Sequence, residues 1–280
     1  MQQVGRRYWL LWFCTVSVLA GVILTGGCAS PVGLVSNRIS STNLETPLSR
    51  SGLIEEKSGT LVEAFPGVWL NRSARTLEFQ GVVPIDASTP SGSVFQPDFG
   101  TIALESIVCT PNTREHESLL VTAVRPSHIH AALLRLGLQP GRPARFDFRD
   151  GVLIPIDPTG ARVLVSLHWV DADGVARSAA PNDWIIDAAT GEHLPADFEG
   201  GGWVFAGSGS ERTPTGYVYH ADADGTLIGL AAFGSETIAY AKALTPELAY
   251  ADRVWIADPE AVPPRGQSVT VRIEPMENDP

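Results

Sequence analysis

Short β-type runs recur along most of this chain, and clusters of turn-forming residues separate them. VWL at 68–70, RTLEFQGVV at 75–83, TIALESIVC at 101–109 and SLLVTAV at 118–124 open the series. GVLIPI at 151–156, ARVLVSLHWV at 161–170, WIID at 184–187 and GGWVFAG at 201–207 continue it. GYVYH at 216–220, TLIGLAAF at 226–233, RVWIA at 253–257 and SVTVRIE at 268–274 complete it. Between them stand DPTG, DADG, DAATG, a second DADG and PPRG. β-Branched and aromatic residues suit a pleated surface, while Asp, Gly and Pro supply turn geometry, so the pattern predicts hairpins. The expected class is mainly β or α+β, with antiparallel, sandwich-like sheets. One helix is expected to pack on them near 126–136. In PSHIHAALLRLGLQPG, Ile129, Leu133 and Leu136 recur at helical spacing behind Pro126 and Ser127, with Gly137 placed to end the helix. A second, shorter helix is expected at 245–251, TPELAYA.

The start of the chain reads as an export leader. Arg6 and Arg7 precede an apolar run from Tyr8 to Leu24, followed by Thr25-Gly26-Gly27-Cys28. A basic segment, an apolar segment and small residues before a cut site make a secretory signal. Seventeen apolar residues are short for a span, which needs about 20. LTGGC resembles the lipobox of bacterial lipoproteins, although Thr25 stands where Leu is usual. That resemblance implies cleavage before Cys28, diacylglycerol on its thiol and a protein held on the bilayer by acyl chains. The expected organisation is a signal peptide at 1–27, a lipidated N-terminus and flexible Ser/Asn/Thr-rich tether at 28–59, and a β-rich domain at 60–276. The expected location is the cell envelope, facing the periplasm or the exterior.

Charge and cysteine count bound the partners. The chain carries 20 Lys+Arg against 31 Asp+Glu. Losing Arg6 and Arg7 with the leader leaves 18 against 31, a formal −13. Such a surface repels phosphate backbones, so nucleic acid is excluded as a partner. Of the three cysteines, Cys14 leaves with the leader and Cys28 takes lipid, leaving Cys109 without a disulfide partner.

Most polar motifs have plain readings. Both DADG copies, at 171–174 and 222–225, lack the remaining ligands of a calcium loop, since Asn182 and Phe233 stand where the twelfth-position Glu is required. They read as hairpin turns. AGSGS at 206–210 places its serine one position too early for a nucleophile elbow, and reads as a polar loop. His168, His193 and His220 are scattered and receive no role.

The segment CTPNTREHESLLVTAVRPSHIH, residues 109–130, is different. It gathers Cys109, Arg114, Glu115, His116, Glu117, Ser118, His128 and His130 around one apolar strand. Three chemistries compete for it. Cys109, His116, His128 and His130 offer zinc- or copper-binding atoms, but residues two apart on a helix do not face each other, which separates His128 from His130. No metal is therefore expected. A hairpin bringing His116 to Cys109 would create an activated thiolate, though no oxyanion hole accompanies it. A third reading is architectural, with a buried His116–Glu117 pair locking a hairpin to the helix.

FPGVWLNRSARTLEFQGVV, the REHES and PSHIH segments and WVFAGS with YHADADGTLIGLAAF resemble the YdjY domain, over about residues 66 to 275. The resemblance implies an exported or lipid-anchored bacterial protein and brings no established activity with it. The ferredoxin-like label attached to that family does not transfer, because an iron–sulfur cluster needs four thiolates and the domain has Cys109 alone. The expectation is a binding or structural module for an unidentified envelope protein or small molecule, with no cofactor besides the lipid on Cys28. The alternative is an envelope enzyme or metal-dependent hydrolase using His116, Glu117 and Cys109.

Overall fold

The structure is a computed structural model, described over residues 59–88, 103–196, 202–214 and 216–276. The expected leader, Cys28 and nearly all of the tether lie outside these residues. The strands are β1 (Val62–Phe65), β2 (Val68–Asn71), β3 (Thr76–Val82), β4 (Ser106–Cys109), β5 (Ser118–Val121), β6 (Pro140–Arg142), β7 (Arg145–Arg149), β8 (Val152–Ile156) and β9 (Thr159–Val170). They continue as β10 (Ala176–Ala179), β11 (Ile185–Asp187), β12 (Trp203–Phe205), β13 (Ser210–Thr213), β14 (Gly216–Tyr219), β15 (Thr226–Ala231), β16 (Ile238–Leu244), β17 (Trp255–Ala257) and β18 (Ser268–Pro275). The α-helices are α1 (Pro126–Arg135) and α2 (His220–Asp224).

The fold is mainly β, as the turn spacing implies, but its main sheet closes into a barrel. Eight strands follow one another in the order β3-β18-β9-β12-β16-β15-β4-β5, and β5 returns to β3 through Val82 opposite Val121. An antiparallel sandwich is therefore corrected to an eight-stranded closed barrel with extra strands. Two of its pairings are parallel, β4 with β5 and β15 with β16. Their connections, 110–117 and 232–237, run back along the barrel. The hairpin expected between Cys109 and Ser118 is thus a crossover.

Alternation sets the core. In β18, Val269, Val271 and Ile273 are buried while their neighbours are partly or fully exposed. Val163, Val165 and Leu167 of β9 repeat the pattern. Eight strands leave an interior just wide enough for such side chains to fill. Helix α1 covers the barrel through Ile129, Ala132 and Leu133. It lacks a side-chain cap of its own, and Asp222 supplies one, accepting from the Ser127 N–H at 2.8 Å and its hydroxyl at 2.7 Å.

Other local expectations change. The first DADG is the predicted turn, between β9 and β10, with Asp171 accepting from the Asp173 and Val175 amides. The second is not a hairpin. It forms the end of α2, stopped by Gly225 at φ 86°. The segment 245–251 forms a 3-10 turn, Leu248–Tyr250, too short to be the expected helix. AGSGS is a loop only as far as Gly209, where the β13–β14 hairpin begins.

Candidate functional site

The parallel register of β4 and β5 builds the site. Ser106 stands opposite Ser118, so the residues just before them, Glu105 and Glu117, also lie side by side. The Glu105 amide donates to the Glu117 carbonyl at 3.0 Å. On the other flank the Glu105 carbonyl accepts from the amides of Leu230 and Ala231, at 3.0 and 2.9 Å. The two serines anchor the register beneath: Ser106 Oγ donates to the Ile228 carbonyl at 2.8 Å, and Ser118 Oγ to the Arg114 carbonyl at 2.7 Å.

The carboxyls of Glu105 and Glu117 come within hydrogen-bonding reach of each other. Two adjacent carboxylates repel, which favours the protonated form of the more buried one. Burial, reinforced by the Glu117 charge and its hydrogen bond, pushes Glu105 up to about 7, against the opposing pull of Arg114. The Arg114 Nε lies 3.3 Å from Glu105 Oε2. Its guanidinium also donates to Thr226 Oγ1 at 2.8 Å and sits 3.9 Å above the Phe233 ring. This single arginine is thus held on three sides.

The pair opens into a cleft of about 1230 Å³ at this end of the barrel. It is lined by the β7–β8 hairpin, through Phe146, Phe148 and Val152, and by the 245–255 segment, through Leu248, Tyr250 and Trp255. The hairpin wall is tied down where Asp157 accepts from the Ala243 amide at 2.9 Å and Lys242 Nζ at 3.0 Å. The other is tied where the Leu104 amide donates to the Trp255 carbonyl at 2.8 Å.

The sequence-derived cluster divides between this site and the scaffold. Glu117 lines the cleft, and Arg114 reaches it only through its ion pair with the lining Glu105. Cys109 is 1% exposed, and burial pushes its thiol up, away from a reactive thiolate. Glu115 closes its own turn, accepting from the Asn112 and Thr113 amides, and its own amide together with these two lowers its carboxyl. The His116 side chain is 73% exposed, with Nε2 3.7 Å from Glu117 Oε1. A buried His116–Glu117 lock is therefore corrected: the 3-10 turn Glu115–Glu117 buries none of its residues. Ser118 is a structural hydroxyl.

The two helix histidines diverge, as two-residue spacing requires. His128 stacks on Phe65 at 5.0 Å. His130 Nδ1 meets the Tyr219 hydroxyl at 2.9 Å, and burial pushes the imidazole down in pKa and the phenol up. Tyr219 in turn donates to the Gly207 carbonyl at 3.1 Å. Among the described residues, no three His, Cys, Asp or Glu side chains gather to hold a metal ion.

Glu105 is the residue that reading the 109–130 segment misses. A signal for it exists: Glu105-Ser106-Ile107-Val108 is echoed twelve positions later by Glu117-Ser118-Leu119-Leu120. Two equal Glu-Ser-apolar-apolar tetrads in adjacent parallel strands place equal side chains together.

These features define a β-barrel protein with an acid-floored cleft at one end. The family model of the YdjY domain matches residues 68–274, and the chain belongs to that family. No curated protein and no solved structure gives a significant match.

Proposed function

We infer that this protein is a lipid-anchored cell-envelope module that binds a ligand in the cleft at the end of its barrel. The observation that carries the reading is the cleft itself: apolar and aromatic walls around a few convergent polar groups are the common build of a binding site. Its volume lies above the roughly 300–1,000 Å³ typical of small-molecule pockets, which suits a ligand with an extended body. The leader ending in LTGGC supports acylation at Cys28 and a domain displayed outside the cytoplasm, and the formal −13 disfavours nucleic acid. A hydrolase built on His116, Glu117 and Cys109 has less support, because its thiol is buried and its imidazole lies in solvent.

The test uses residues 60–280 and the uncharged dye N-phenyl-1-naphthylamine, which fluoresces in apolar surroundings. The wild-type domain should enhance the dye saturably. Ala243→Trp and Ala249→Trp, which fill the cleft from its lining, should abolish the enhancement while keeping the wild-type circular dichroism. Undiminished enhancement in both folded variants would remove the cleft as the ligand site.

A further inference from the structure

We propose that the cleft selects a molecule with an apolar body and one protonated amine, the ammonium seated between Glu105 and Glu117. This rests on the reading of the cleft as a ligand site and names the chemistry it takes.

Charge is the first argument. The acids lining the cleft are Glu105, Glu117, Glu247 and Asp252, against Arg253 alone. Arg253 is already engaged, 3.5 Å from Asp187 and 2.8 Å from Glu192. Of the two paired carboxyls, Glu105 meets Arg114, which is committed to Thr226 and the Phe233 ring as well, and Glu117 meets the exposed imidazole of His116, at 3.7 Å. Two carboxyls against one fixed cation and one solvent-exposed imidazole leave room for a further positive charge. In its absence burial and the neighbouring Glu117 push the Glu105 carboxyl towards its protonated form.

Geometry is the second. An ammonium is a compact cation with three donors, able to serve both carboxylates from one position. The walls above carry exposed apolar surface at the rim: Phe148 is 73% and Tyr250 70% exposed. An apolar body leaving the floor would cover these rings. The exchange balances simply. The ammonium enters with its charge, a proton carried by Glu105 leaves for solvent where the pH is low enough for one to be there, and no covalent bond to carbon is made or broken.

The experiment compares three probes with one skeleton, 4-phenylbutylamine, 4-phenylbutan-1-ol and 4-phenylbutyrate. Binding to the full chain in phosphatidylcholine nanodiscs is measured by calorimetry, with empty nanodiscs as the blank. At pH 8 the amine should bind about tenfold or more tightly than the alcohol, and the carboxylate weakest. Near pH 6.5 the heat of amine binding should vary with the ionisation enthalpy of the buffer in the sense of proton release. Glu105→Gln with Glu117→Gln should bring amine affinity down to that of the alcohol and so erase the preference, and Glu117→Gln alone serves if the double variant misfolds. Equal affinity for amine and alcohol in the wild type would overturn the proposal and leave the cleft reading standing. Persistence of the preference in a folded variant would also overturn it, by placing the ammonium elsewhere. No binding of any probe to a chain whose cleft binds the dye would overturn it too; no binding of either dye or probe would remove the cleft reading as well.

Discussion

Glu105 links protonation to folding. Burial and the neighbouring Glu117 push its carboxyl up to about 7 in the folded chain, from 4.5 in an ordinary glutamate, so folding favours the protonated form. The resulting stability is fully present below pH 4.5, declines as pH rises towards 7 and is gone above it. Partial solvation and screening reduce the contribution to about 1–2 kcal/mol. Denaturant titrations of wild type and Glu105→Gln at pH 4.5 and pH 8 should show the difference in unfolding free energy shrinking or reversing by that amount on going to pH 8; parallel behaviour of the two proteins would refute it. His116 lies in solvent, and His116→Ala should change stability by less than about 0.5 kcal/mol. The asymmetry explains what a reader of the sequence sees and misses. REHES attracts attention because reactive residue types crowd together in it. Crowding along the chain, however, says nothing about Glu105, whose partner lies twelve positions away and is reached only through a sheet register.

At the scale of elements, α1 and Asp222 show how a local signal and a distant one combine. Helix α1 is legible because Ile129, Leu133 and Leu136 repeat at helical spacing behind a proline. Its cap is not, because the capping carboxylate comes from 95 positions away. Asp-Ala-Asp-Gly suits a turn and equally a short helix ended by a left-handed glycine. The outcome for 222–225 is decided by tertiary bonds: Ser208 Oγ accepts from the Ala221 amide at 3.2 Å, and Asp222 faces Arg125 and Ser127. Asp222→Ala should therefore destabilise the protein by about 1–2 kcal/mol through α1, visible as a lowered denaturant midpoint, while Asp173→Ala in the other DADG should cost much less. Strand β16 escaped detection for another reason, since Ala239, Ala241 and Ala243 occupy alternate positions and alanine carries little strand preference. Within β15, Gly229 is demanded by contact. A Cβ there would lie 2.3 Å from the Glu236 Cγ, and that buried carboxyl turns back to accept from the Phe233 and Gly234 amides. Gly229→Ala should sharply lower soluble yield or thermal midpoint; a wild-type melt would contradict this account.

For the molecule as a whole, mainly β class and the positions of most strands follow from residue type and turn spacing. Closure does not, because it depends on which strands meet, and two of the pairings run parallel across short links that hairpin rules do not anticipate. The membrane reading stands on the leader. Mass spectrometry of the extracted protein should find diacylglyceryl-Cys28 at its N-terminus, and an intact leader would refute lipidation. The closing contact carries its own consequence. Strand β3 gives Thr76, Leu77 and Glu78 to β2 and only its last residues to β5, through Val82 opposite Val121 and the Thr122 hydroxyl on the Gln80 carbonyl at 2.6 Å. The ring thus has a seam one residue pair long, whereas β3 and β18 are matched over six. Ladder length governs how readily neighbouring strands part, so the barrel should breathe there first, with the Val82 and Val121 amides exchanging hydrogen before those of β18. Strand β5 begins directly after Glu117, so each opening of that seam would loosen one side of the acid-floored cleft while the other stays fixed against β15.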